Sequence, residues 1–169
     1  MSDTSKIGAL TEPEYQNARR ALLRQAKALA VAYYKLTKKP LGVTGEVAEC
    51  EAADKLGLTL ADARTPLLDA FWEVDGKKET FQIKGRAVSA SDRYRGRVPK
   101  IKCDGDFDAV LLVLLDKSTF EAIEIWRAER SGVMARLEVP GSKARNERGS
   151  MGITQFKSIP GALRIWPTE

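Results

Sequence analysis

Seven consecutive apolar residues, Ala109-Val110-Leu111-Leu112-Val113-Leu114-Leu115, constrain this chain more than any other feature. The run is far shorter than the roughly 18 residues of a membrane span. It also lacks the polar alternation that leaves one face of a strand in water. A strand of this kind belongs at the centre of a sheet covered on both sides. The rest of the chain must then supply two covering layers.

The flanking segments are suited to that task. Thr11-Glu12-Pro13-Glu14 reads as a helix start, with Thr11 as cap, Glu14 three residues on and proline in the first turn. The helix runs to about Leu36. Tyr15, Ala18, Leu22, Leu29, Tyr33 and Leu36 fall near one stripe of it, read as a packing or dimer face, with Arg19, Arg20, Lys27 and Lys35 outside the stripe. Thr44 caps a second helix, Gly45 to Leu56, closed by Gly57. From Pro66 the pattern turns to strands: Leu67 to Val74, an Asp75-Gly76 turn, then Lys78 to Gly85. Val88 to Asp106 reads as a long basic loop or distorted hairpin. Phe120 to Trp126 should pair beside the apolar strand. Arg127 to Leu137 has helical spacing, Gly141 to Gly149 is a basic loop, and Ala162 to Trp166 is a short final strand. The order predicts an α/β fold around a central mixed sheet flanked by helices, with an N-terminal helical extension. At 169 residues one domain is expected.

Composition narrows the chemistry. The chain has no histidine. Ser-His-Asp and Cys-His catalysis, HExxH zinc sites and histidine-metal nucleases are therefore excluded. Cys50 and Cys103 form no CxxC and no disulfide framework. With no signal-peptide core and no membrane span, a cytoplasmic protein is expected. Charge is sorted in blocks. Residues 1–39 carry eight bases and three acids, residues 40–83 four bases and nine acids, and residues 84–102 seven bases and Asp92 alone. An acidic block between basic ones suits a protein that holds a cation and grips a polyanion.

The Asp75-Gly76 hairpin brings the acidic and basic blocks together. If the turn has two residues, Val74 pairs with Lys77 and Asp69 lies opposite Gln82. If it has four, Asp69 faces Lys84. Either register puts Asp69, Gln82 and Lys84 on one face, with Ala70, Trp72, Phe81 and Ile83 on the other as a core face. A hard divalent cation, Mg²⁺ or Mn²⁺, takes oxygen ligands. The Asp69 carboxylate, the Gln82 side-chain carbonyl and a backbone carbonyl such as that of Ile83 are the candidates. Lys84 would orient or deprotonate an attacking water, or contact a phosphate.

Asp69, a twelve-residue gap and then Gln82-Ile83-Lys84 resemble the motif of the PD-(D/E)xK nuclease superfamily, the restriction-endonuclease-like fold. The motif here is QxK, and Leu68 stands where the family has proline before its aspartate. The resemblance implies a metal-dependent endonuclease acting on DNA, of restriction or repair type. It implies that Glu46, on the second helix, is a further metal ligand or water-orienting group. The chain then divides into an N-terminal helix (1–40), a nuclease-like core (44–137) and a basic loop with the final strand (138–169).

Two basic clusters are candidate nucleic-acid contacts. Arg86, Ser89, Ser91, Arg93, Arg95, Arg97, Lys100 and Lys102 follow the catalytic strand, and Lys143, Arg145, Asn146 and Arg148 lie in the late loop. Glu49, Glu51 and Asp54 read as a solvated helix face, with Glu49 as an alternative metal ligand. Cleavage of both strands would call for two sites, so a homodimer is possible. The alternatives are an inactive DNA-binding protein that keeps the fold, and a helix-turn-helix regulator built on Thr44 to Arg64.

Overall fold

The computed structural model describes residues 10–39, 41–62, 65, 68–89, 91, 95–141 and 148–168. Among these, α1 spans Glu12–Thr37 and α2 Thr44–Leu56. The strands are β1 Thr59–Leu60, β2 Ala70–Val74, β3 Lys77–Val88, β4 Ala109–Asp116, β5 Ala122–Glu129 and β6 Leu163–Trp166. Helices α3, Arg130–Glu138, and α4, Ile153–Lys157, complete the set. The strands form one mixed sheet in the order β1-β2-β3-β4-β5-β6. Only β3 and β4 pair in parallel; every other neighbouring pair is antiparallel. No helix among the described residues is long and apolar enough to cross a membrane.

β4 is the apolar run, and all seven of its apolar residues are fully buried. Its odd-numbered residues, with Phe81 and Ile83 of β3, pack against Val47, Ala48 and Ala52 of α2 and Ala30 of α1. Its even-numbered residues pack against Val133 and Leu137 of α3, Ile153 and Phe156 of α4, and Val98 and Ile101 of the β3–β4 connection. The sheet is thus the middle of three layers.

The β2–β3 hairpin has the two-residue register. Val74 pairs with Lys77 and Ala70 with Phe81, and Asp75 and Gly76 both have positive φ, 52° and 73°. These are the conformations of the tight turn that follows the sheet twist, and asparagine, aspartate and glycine tolerate them best. At the start of α1 the Glu14 carboxylate accepts hydrogen bonds from the Thr11 backbone N–H (2.8 Å) and hydroxyl (2.7 Å).

Several expectations require correction. β2 begins at Ala70, and Thr59–Leu60, where a helix-turn-helix would need its second helix, is a strand paired with Phe71 and Ala70. The connection 95–107 is strapped to the C-terminal segment. Val98 N–H donates to the Met151 carbonyl (2.8 Å), and Ile101 N–H to that of Gly149 (2.8 Å). Of the two roles expected for the α1 stripe, packing within the chain is not the one it has: the stripe lies outward. The inward positions are Leu23, Lys27, Ala30 and Val31, because the sheet offers α1 only a narrow contact beyond α2. Glu51 is buried, not solvated. Its Oε1 pairs with Lys27 Nζ at 2.5 Å and its Oε2 accepts from the Ala122 N–H at 2.9 Å. This carboxylate ties α1, α2 and the start of β5 together. Breaking a buried ion pair costs about 3–5 kcal/mol, and among the described residues Lys27 would keep only the exposed Glu121 carboxylate, 2.9 Å from its Nζ. Glu51→Ala is therefore expected to lose about 3 kcal/mol in a denaturant melt, and Glu51→Gln, which keeps an acceptor, to lose less.

Candidate functional site

A cleft of about 630 Å³ opens where α2, the C-terminal end of α1, β3 and the β4–β5 turn meet. Its position follows from one glycine. A Cβ on Gly85 would sit 2.4 Å from the Ala48 Cβ and 2.8 Å from the Thr44 carbonyl oxygen. Without that side chain, the first turns of α2 descend directly onto β3 beside Lys84. Gly45 and Glu49, one turn apart on α2, then both line the cleft.

Asp69 lies just before β2, and its backbone N–H still donates to the Phe81 carbonyl (3.0 Å). Its side chain then departs from the ladder, and Oδ2 accepts the Ile83 N–H at 2.6 Å. A charged acceptor on a backbone donor makes a strong, orienting bond. Lys84 Nζ stands 3.8 Å from the same Oδ2, with both side chains mostly withdrawn from solvent. Burial holds the Lys84 ammonium below its usual pKa, and the charge of Lys102 adds to this, while Asp69 and Glu49 oppose it.

Glu49, read from the sequence mainly as part of a solvated helix face and secondarily as a ligand, lines the cleft. Burial, then the charges of Asp69 and Glu46, push its carboxyl from 4.5 up to about 7, against the pull of Lys84. Among the described residues no hydrogen bond or ion pair holds it. Two acids sharing one pocket, the second half-protonated near neutrality, is an electrostatic conflict that a cation would relieve. Glu46, the expected helical acid, is exposed and does not line the cleft. It lies three residues before Glu49 and is turned away toward solvent. The helical spacing of Gly45 and Glu49, with Val47 and Ala48 buried between, was the available signal.

Gln82 also departs from expectation. It is 1% exposed, and its amide is engaged at both ends: Nε2 donates to the Lys102 carbonyl (3.1 Å) and Oε1 accepts from the Lys102 N–H (2.8 Å). It does not line the cleft, because the face it shares with Lys84 is covered by the β3–β4 connection. That double clamp needs a side chain that donates and accepts at once, and only an amide does so here. The Ile83 side chain is core, although the residue borders the cleft.

The basic candidates are divided. Arg86 and Lys100 line the cleft, together with Lys38 of α1 and Lys117 of the β4–β5 turn, which the sequence did not single out. Ser89 and Ser91 bond each other, Oγ to Oγ 3.1 Å. Arg97 is a staple: its guanidinium donates to the Ser150 hydroxyl (3.3 Å) and carbonyl (2.5 Å). Arg95, Lys102 and Arg148 are exposed and lie outside the cleft lining. Arg93, Lys143, Arg145 and Asn146 lie outside the described residues.

Among the described residues no group of three or more His, Cys, Asp or Glu side chains gathers to hold a metal. The cleft offers two carboxylates, Asp69 and Glu49. A Mg²⁺ site commonly uses one or two carboxylates, with water and substrate phosphate supplying the rest. The donor set fits that pattern, with Glu49 in place of Glu46 and Gln82. A scan of protein-family models finds no match to this chain, and a search of curated proteins finds none either.

Two outcomes are expected. Gln82→Glu places a carboxylate oxygen against the Lys102 carbonyl and removes a donor, so it should destabilise the fold by about 1–3 kcal/mol in a thermal or denaturant melt. The native state holds the Glu49 proton more tightly than the unfolded chain does. Stability from this group is thus fully present below pH 4.5 and is lost as pH rises through about 7. Glu49→Gln should remove this loss, leaving the variant more stable than the wild type above pH 7 by on the order of 1–2 kcal/mol after solvent screening. Melts across pH 5 to 8 measure it.

Proposed function

We propose that the cleft is the active site of a divalent-metal-dependent endonuclease that hydrolyses phosphodiester bonds in DNA, on a restriction-endonuclease-like core. One observation carries the reading. Asp69, Glu49 and Lys84 meet in a single cleft whose rim carries Lys38, Arg86, Lys100 and Lys117. Acids on the floor and bases on the rim match a cation below and a phosphate backbone above. The chain order agrees with the family resemblance: an acid-bearing helix, then a hairpin bearing Asp69 and Lys84, then the buried strand.

In this reading Asp69 and Glu49 hold the cation, Mg²⁺ or Mn²⁺. The bound ion would lower the pKa of a water and neutralise charge on the scissile phosphate. The Ile83 N–H fixes the Asp69 carboxylate so that its lone pairs are aimed before any ion arrives. Lys84, with its pKa depressed by burial, orients the attacking water and accepts or returns its proton. Arg86, Lys100, Lys38 and Lys117 hold the flanking phosphates. Gln82 takes no part in ligation here and instead fixes the segment that carries Lys100.

A second reading, a DNA-binding protein without catalysis, draws on the same Gln82. Its oxygen is already bonded to the Lys102 N–H, so the cation has one side-chain ligand fewer than the (D/E)xK motif supplies. One assay separates the two. Under the nuclease reading, purified protein cuts duplex, branched or single-stranded DNA with Mg²⁺ or Mn²⁺. Asp69→Ala, Glu49→Ala and Lys84→Ala should each lower the rate by about a hundredfold or more, while Glu46→Ala should keep most of it. DNA binding without cleavage of any of these substrates by the wild type would establish the second reading.

A further inference from the structure

The outer face of α1 is not accounted for by the cleft. Tyr15, Leu22, Leu29 and Leu36 recur at intervals of seven residues. All four are exposed, at 50%, 65%, 61% and 85%. Between them, three residues after each, stand Ala18, Gln25 and Ala32, also exposed. This is the apolar spacing of two helices that coil about each other. By contrast, only Ala30 of this 26-residue helix is buried within the chain itself. A large apolar stripe on a helix so lightly attached to its own core calls for an occupant.

We infer that this stripe is the seam of a homodimer in which α1 lies antiparallel to α1 of a second copy. Charge selects both the occupant and the direction. The first turn carries Glu12 and Glu14, and the other end carries Lys35, followed by Lys38 and Lys39. Antiparallel pairing sets each acidic end on a basic end, whereas parallel pairing stacks like on like. The residue pattern also favours close approach. In the register that places Leu29 against Ala18 of the second copy and Leu22 against its Gln25, every large seam residue meets a smaller one. The same register brings Glu14 against Lys35 of the second copy, and two-fold symmetry repeats the contact. This inference stands on α1 alone and does not depend on what the cleft does.

The test uses the full chain. Sedimentation equilibrium should give a dimer mass for the wild type at micromolar protein and above. Leu22→Glu combined with Leu29→Glu should give a monomer with unchanged helical circular dichroism, since both positions face solvent within one copy. Lys35→Glu should weaken association severalfold. For direction, Ala21→Cys protein mixed with Ala28→Cys protein, each in a Cys103→Ser background, should form a crossed disulfide under mild oxidation, and neither should crosslink efficiently with itself. A monomeric wild type, or a dimer untouched by the leucine substitutions, would overturn the proposal. Self-crosslinking of each single cysteine in place of the crossed product would overturn the antiparallel arrangement.

Discussion

The structure rests on the burial of β4 from both sides. A strand with no polar face must be covered above and below, and its parallel pairing with β3 requires the chain to leave one end of the sheet and re-enter at the other. Among residues 95–107 of the connection no helix is present. Residues 95–107 lie against the sheet face opposite α2 as irregular backbone, whose polar groups need partners that a helix would have supplied itself. Val98 and Ile101 find them on Met151 and Gly149, and Lys102 finds them on Gln82. The glutamine on β3 is therefore an answer to the topology. It satisfies two buried backbone groups that the crossover brings over the sheet.

The same constraint accounts for an amide at position 82. A carboxylate at position 82 would accept from the Lys102 N–H but repel its carbonyl. An amide settles both. The cleft instead has a carboxylate on α2, where Glu49 lines it one turn from Gly45, in the segment that Gly85 lets approach β3. Two carboxylates and a lysine thus line one cleft from three places in the chain: Asp69 before β2, Lys84 on β3 and Glu49 on α2. The cost appears as the raised pKa of Glu49, held beside Asp69 in a half-buried pocket.

Much of the fold was legible because local signals agreed with global ones. The capping box at Thr11, the Gly57 stop, the Asp75-Gly76 turn and the unbroken apolar run each have one strong local solution, and the structure adopts it. Of the two hairpin registers that the sequence left open, the structure has the two-residue one. The site was less legible, for reasons of the same kind. Which of Glu46 and Glu49 enters the cleft depends on the rotation of α2 about its axis, and that rotation is set by a contact between Ala48 and Gly85, residues far apart in sequence. The burial of Glu51 depends on Lys27 and the Ala122 N–H, which no local pattern links to it. Lys38 and Lys117 reach the cleft from two chain segments that meet only in the folded protein.

The first helix unites these threads. Its apolar stripe resembled a core face because periodicity reports that a face is apolar and is silent about what covers it. The helix is joined to the body mainly through Lys27, Glu51 and a few small or branched side chains, which leaves its leucines outside. Yet its last turns reach the cleft through Tyr34 and Lys38. The outward stripe and the cleft-lining Tyr34 lie on opposite sides of one helix, so the same periodicity that leaves the leucines outside turns Tyr34 inward.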